Sequence, residues 1–230
     1  MSRNIRQLFA EVPKTYELVN HILTFGLDML WRRKAALRVV VGSGDVWLDV
    51  CTGTGEMAGY LERYRRHNAL VIGGDFCLPM LAEAHRKRES CSISWLGTDA
   101  TRLPFRDGAL DLITVAFGTR NLHTSRQALL TTFREFRRVL KPGARFVIVE
   151  TSQPTSSLVR WAFHTYVRLF VKPVGQLISG SKVGYSYLSQ TIRAFYGSEE
   201  LSELLLEAGF STVSVQRLLL GVGAIHESVN

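Results

Sequence analysis

Residues 47–55, Trp-Leu-Asp-Val-Cys-Thr-Gly-Thr-Gly, place an apolar run that ends on a carboxylate just before a glycine turn. The run suits a buried strand, and Gly53 and Gly55, free to take positive φ, let the chain turn tightly and a ligand touch the backbone. A helix starting after Gly55 presents its unpaired N–H groups to the same space. Two further apolar runs, 70–74 and 93–97, lead to Asp75 and Asp99. Three strand ends therefore offer carboxylates to one ligand.

Around that turn the chain alternates. Tyr16, Val19, Leu23 and Leu30 recur at helical spacing over 13–40, with a break near Gly26, and predict a helical lid over 1–43. Helices over 56–66 and 78–88 then alternate with strands over 70–74, 93–97 and 109–116. Leu129, Leu130, Phe133, Phe136 and Leu140 mark another helix that Lys141-Pro142-Gly143 stops, and 146–149 supplies a fifth strand. A helix over 199–208 and two runs, 212–217 and 219–225, close the sheet. This pattern predicts one α/β domain over 1–230, with a mostly parallel, Rossmann-like sheet covered by helices on both faces. With 230 residues and 46% hydrophobic content, one sizeable core forms without oligomerisation, and a homodimer stays open.

The glycine turn fits two ligand classes. Gly53-Thr54-Gly55-Glu56-Met57-Ala58 matches the dinucleotide pattern G-x-G-x-x-A, and Asp75 follows Gly53 by 22 residues. Asp49 argues otherwise: a carboxylate there repels a pyrophosphate but suits the ammonium and sulfonium of S-adenosylmethionine. In that reading Asp75 accepts from the ribose hydroxyls, Asp99 takes the adenine amino group, and the Ala100 N–H meets a ring nitrogen. Thr54 and Ala116 complete the donor wall. Asp99 alternatively caps a turn.

Residues 151–197 interrupt the alternation as a helical insertion, and from 151 to 198 there is no Asp or Glu, against Arg160, Arg168, Lys172, Lys182 and Arg193. Arg160, His164, Arg168 and Lys172 are spaced by four, so on a helix they share a face, with Trp161, Phe163, Tyr166 and Phe170 elsewhere. That pattern fits a membrane-surface helix, or a packed helix with a solvated edge. The net charge of +8 leaves anionic lipid, nucleic acid or an acidic substrate open as partners. Cys51, Cys77 and Cys91 form no C-x-x-C pair, which fits a reducing compartment. No apolar run reaches ~18 residues, so neither export nor a membrane span is expected.

Further motifs make the chain similar to the ubiquinone/menaquinone biosynthesis C-methyltransferases, from about Tyr16 to His226. Tyr16-Glu17-Leu18-Val19-Asn20 through Leu23, Thr24 and Trp31 resembles one signature, departing at Glu17, Val19, Thr24 and Asp28, where the family usually has Asp, Met, Ser and His. Arg138-Val139-Leu140-Lys141-Pro142-Gly143-Ala144 through Glu150 and Ser152 resembles the second, departing at Ala144, usually Gly. Phe117-Gly118-Thr119-Arg120-Asn121 and Tyr185-Ser186-Tyr187-Leu188 also look like family patterns.

The resemblance implies a class I S-adenosylmethionine-dependent methyltransferase acting on a ring carbon of a polyprenyl quinol, demethylmenaquinol foremost, with a methoxybenzoquinol of ubiquinone biosynthesis as the alternative. Arg120 is then expected to stabilise a developing phenolate, or to pair with a carboxylate such as Asp75, while Asn121 orients the ring oxygens or a water. Tyr16, Asn20, Glu150, Tyr185 and Tyr187 are substrate-lining candidates; Glu150 and His123 are the nearest candidate bases. The reaction needs no metal. The expected partners are the lipophilic quinol and, reversibly, an anionic membrane surface, with no nucleic acid, placing the protein in the cytoplasm at the inner face of the membrane. A nucleic-acid or protein methyltransferase is the competing class. It rests on the positive charge alone, because Ala116-Phe117-Gly118-Thr119 stands where amine-modifying nucleic-acid enzymes carry Asn/Asp-Pro-Pro-aromatic.

Overall fold

The computed structural model describes residues 13–65, 68–87, 92–179 and 182–230. Residues 1–12 of the expected lid, Arg66, Arg88 and Cys91 lie outside the described residues. In chain order the elements are α1 (Pro13–Thr24), α2 (Leu27–Val39), β1 (Val46–Val50), α3 (Glu56–Tyr64), β2 (Leu70–Asp75), α4 (Leu78–His85), β3 (Ser94–Gly97), β4 (Leu110–Ala116), α5 (Thr119–Leu122), α6 (Arg126–Val139) and β5 (Leu140–Thr151). There follow α7 (Ser157–Tyr166), a π-turn (Val167–Val171), α8 (Lys172–Ser179), α9 (Lys182–Ala194), α10 (Ser198–Glu207), β6 (Thr212–Leu218) and β7 (Gly223–Val229).

The described strands form one seven-stranded sheet in the order β3-β2-β1-β4-β5-β7-β6, with β7 antiparallel to both neighbours and the rest parallel. Side chains of β1 alternate between its two faces. Leu48 and Val50 join Phe133 and Phe136 of α6 and Leu204 of α10 in one core. Trp47 joins Ala35 and Val39 of α2 and Met57 and Leu61 of α3 in the other. Chain order reverses between β1 and β4, so their carboxyl ends flank the crevice where such sheets take ligands. A third cluster packs Val19 and Leu23 of α1 against Val167, Val171, Tyr185 and Ile192, seating the insertion on the lid.

Two expected strands differ in extent. The strand expected over 219–225 starts only at Gly223: Leu218 pairs with Gly223, and Leu219–Gly221 forms a 3-10 turn in which Leu219 and Leu220 have φ of 43° and 54°. Leu140 caps α6, its N–H donating to the Phe136 carbonyl, so that helix stops where expected, and the strand expected over 146–149 starts earlier than its apolar run. Leu140 pairs with Leu110 and starts β5, and Lys141-Pro142-Gly143 bulges before Leu112 pairs with Arg145. A π-turn, Val167–Val171, interrupts the helical run that carries Arg160, His164, Arg168 and Lys172, of which the two arginines and the lysine are exposed and His164 half-buried. Arg160 also folds back to donate from Nε to the Pro154 carbonyl at 2.9 Å. His164 meets Gln153 Oε1 at 2.7 Å.

Candidate active site

At the carboxyl end of β1 the backbone bends sharply, with Cys51 at φ 56° and Gly53 and Gly55 at 56° and 82°. A Cβ on Gly55 would come within 2.5 Å of the Trp95 ring, whereas one on Gly53 would meet nothing within 4 Å, so Gly53 borders open space. That space is a narrow cleft of about 50 Å³ whose walls include Asp49, Thr54, Asp75, Ala116 and Asn121. Tyr16 of α1, packed with Cys77 and Met80, roofs it.

The carboxylates of this cleft brace the turn. Asp75 accepts from the Gly53 and Cys77 N–H groups, both at 2.8 Å, tying the ends of β1 and β2 together. Burial raises its pKa, and those backbone N–H groups oppose the rise. Asp49 accepts from the hydroxyls of Thr52 at 2.6 Å and Thr114 at 2.7 Å. Burial pushes its carboxyl up to about 6. Asp49, Glu56 and Asp75 line the cleft against one guanidinium, Arg32, so it favours a cationic ligand and opposes a pyrophosphate. The buried Asn121 Oδ1, without a hydrogen-bond partner, also points to an unmet donor. These features fit S-adenosylmethionine.

A second cavity of about 380 Å³ lies beyond Phe117, walled by Leu23, Trp31, Phe163, Val167 and Ile192 among other apolar side chains. Phe117, at φ 58°, and Arg32, 4.7 Å above its ring, line both cavities and form the partition between them. The short α5 sets two neighbours on opposite sides of this partition: Asn121 lines the donor cleft and Arg120 the apolar cavity. Arg120 Nη1 donates to Glu150 Oε1 at 2.5 Å, and the pairing is with Glu150 and not with Asp75. Its Nε is buried with no hydrogen-bond partner.

A family model described as the ubiE/COQ5 methyltransferase family matches residues 1–230. The chain belongs to that family. A demethylmenaquinone methyltransferase of Thermus thermophilus is 39% identical over 95% of this chain and 98% of its own length. A ubiquinone/menaquinone biosynthesis C-methyltransferase UbiE of Desulfotalea psychrophila is 34% identical over 98% of this chain and 89% of its own. The fold matches a crystal structure of a SAM-dependent methyltransferase from Aquifex aeolicus with a TM-score of 0.59, at 20% identity over 86% of this chain and 88% of that one. This ubiE/COQ5-family member is an S-adenosylmethionine-dependent methyltransferase.

Not every expected residue reaches a cavity wall. Asp99 accepts from the Thr101 N–H at 2.9 Å and its hydroxyl at 2.8 Å, the turn-capping arrangement, and neither Asp99 nor Ala100 lines the donor cleft. Burial alone would raise the Asp99 pKa, but the Thr101 bonds hold it lower. Gly55 borders a third cavity, between α3 and α4, with Tyr60 and Trp95. Asn20 lines the apolar cavity. Glu150 lines neither; besides Arg120 it accepts from the Thr151 N–H at 2.9 Å. Tyr185 packs its ring on Gly175, where a Cβ would come within 2.1 Å. Burial raises the Tyr187 pKa, and the Arg120 charge opposes that, placing the phenol near the guanidinium. His123 meets the Tyr196 hydroxyl at 3.1 Å, away from both cavities.

Sequence reasoning passed over Arg32 and Phe117 as site residues. Arg32 is 4% exposed, donates to Asp28 at 2.6 Å and pairs with Glu56 at 3.2 Å. A basic residue in an apolar helical face was the available signal. Glu17, His21 and Glu56 come close enough to hold a cation, but Lys87 pairs with Glu17 and Arg32 with Glu56.

Proposed function

We propose that this enzyme methylates a ring carbon of a polyprenyl quinol, converting demethylmenaquinol to menaquinol. The observation that carries this reading is the joining of an acidic donor cleft to a 380 Å³ apolar cavity at Phe117, with Arg120 on the apolar side and Asn121 on the donor side. The names of the relatives from Thermus thermophilus and Desulfotalea psychrophila support the substrate class.

When bound, S-adenosylmethionine supplies an electrophilic methyl group on a sulfonium. The residues do the rest. Asp49 and Asp75 hold the cation and the ribose, and Phe117 with Arg32 sets the ring edge against the donor cleft. A quinol carbon attacks as its neighbouring oxygen gains phenolate character, so a fixed positive charge at that oxygen lowers the barrier. The Arg120 guanidinium, on the wall of the apolar cavity, supplies that charge, and Glu150 holds it in position. The guanidinium stays charged throughout, so Arg120 acts as an electrostatic stabiliser and not as a base. Transfer would leave S-adenosylhomocysteine in the donor cleft, the C–S electron pair staying on sulfur, and the ring proton would pass to water as aromaticity returns.

The substrate tail sets where the enzyme works. Each CH₂ of a prenyl chain costs ~0.8 kcal/mol to expose, so the substrate stays in lipid and the protein visits the surface. Arg168 and Lys172 are exposed on a stretch without carboxylates, which favours an anionic leaflet. Among the described residues no helix is long and apolar enough to cross a membrane.

The test is the quinone profile of cells lacking the gene. Accumulated demethylmenaquinone with loss of menaquinone is expected. A normal quinone pool with loss of a methylated nucleic acid or protein would replace this reading.

A further inference from the structure

Five residues other than glycine have positive φ among the described residues, and they fall in two groups. Cys51 and Phe117 flank the donor cleft. Phe25, Leu219 and Leu220 rim the apolar cavity and are 81%, 53% and 78% exposed. A bulky side chain in the left-handed region is strained, and turns of this kind are served better by Asn or Gly. An exposed large apolar side chain gains nothing from folding either. The mouth of the cavity therefore carries two unfavourable features at the same residues, and strain of that kind clusters at sites of function.

The surroundings favour one occupant. Phe25 lies 6.1 Å from Tyr166, which stacks on Phe170 at 5.1 Å, so the apolar rim continues along the insertion. Arg168 and Lys172 flank it, and residues 151–198 contain no carboxylate to repel a phosphate headgroup. Basic residues around an exposed apolar tip are complementary to a bilayer surface: headgroups outside, hydrocarbon within. A protein partner gives no reason for the cavity itself to open through the patch.

We infer that Phe25, Leu219 and Leu220 form a wedge that enters the acyl boundary of a bilayer, so that the cavity mouth opens inside lipid and the prenyl tail passes into the enzyme without crossing water. This rests on the reading that the apolar cavity takes a prenylated ring. It differs from docking by charge, because the wedge holds when salt has screened Arg168 and Lys172.

The experiment is co-sedimentation of the full chain with neutral phosphatidylcholine vesicles at 1 M salt, where charge attraction reaches only about 3 Å. Leu219→Asn/Leu220→Asn removes the apolar tips and installs a side chain that tolerates the left-handed region, so its unfolding midpoint should equal or exceed that of the wild type. Its partitioning should fall roughly tenfold or more. Phe25→Asn alone should give a smaller loss. Equal partitioning of wild type and double variant overturns the wedge. So does a dimer of the wild type, formed without lipid and lost in the double variant, since the patch would then cover a second copy. Wild-type turnover with a tail-less quinol is measured in parallel: its absence removes the functional reading, whereas its presence with unchanged partitioning removes only the wedge.

Discussion

Arg120 and Glu150 face each other at 2.5 Å, with side chains 5% and 1% exposed. An ion pair taken this far from water is a poor source of stability. Its value lies in fixing the guanidinium at the wall of the apolar cavity. Arg120→Lys keeps the charge and loses the planar fork. Turnover should fall by roughly 10²–10³, the range for losing one preorganised electrostatic contact, with donor affinity nearly unchanged. Steady-state kinetics with demethylmenaquinol checks it, and wild-type turnover would remove Arg120 from the chemistry.

Asp75 carries two tasks. Its carboxylate receives the N–H groups of Gly53 and Cys77, and the donor's ribose is expected to take its remaining lone pairs. Asp75→Ala should weaken donor binding by about 1.5–3 kcal/mol and also lower the unfolding midpoint, because two backbone donors lose their acceptor. Calorimetry returning wild-type affinity, or tighter binding of NAD than of S-adenosylmethionine, would exclude the assignment.

Asp49 makes donor binding depend on pH. Its carboxyl, raised by burial to about 6, must be ionised to face a sulfonium or an ammonium. Affinity should hold above pH 6 and fall by up to about tenfold per unit below it. Stability runs the other way. A carboxyl whose folded pKa exceeds its unfolded value contributes stability fully below about 3.8 and loses it as pH rises through about 6. Asp49→Asn should therefore be more stable than wild type at pH 8, by up to about 3 kcal/mol, while failing to bind the donor. Equal denaturation curves at pH 8 would contradict this.

Arg32 neutralises two carboxylates at once, Asp28 and Glu56, with side chains 2% and 12% exposed. Removing it strands a buried charge. Arg32→Met should cost about 3–5 kcal/mol, and adding Asp28→Asn should recover part of that. Chemical denaturation of the two variants decides it, and additive losses would show that the partners are not coupled.

The sheet was legible because each apolar run carries its own stop: Asp49 before the glycines, Asp75 at the end of β2. Asp49 and Asp75 are in the cleft because a strand end fixes where its side chains point, and Gly53 and Asn121 because they sit on the turns that follow β1 and β4. Arg120 pairs with Glu150 and not with Asp75, because Glu150, 30 residues away in sequence, is brought near by the register of β4 with β5. The insertion was less legible. Nothing in the residues Val167–Val171 announces a π-turn. Asp28, where related sequences usually carry His, also needed the structure: His21, seven residues away, supplies the imidazole that meets it at 2.9 Å.

The central claim is transfer to carbon on a ring held beside Arg120. The direct measurement gives the wild-type enzyme S-adenosylmethionine labelled with ¹³C at the methyl group, with demethylmenaquinol presented in vesicles, and locates the label by NMR. An aryl C–CH₃ resonance is expected, with one product per donor consumed and loss of that signal in Asp75→Ala. A label on a quinol oxygen, or an unlabelled quinol beside labelled nucleic acid or protein, would contradict it.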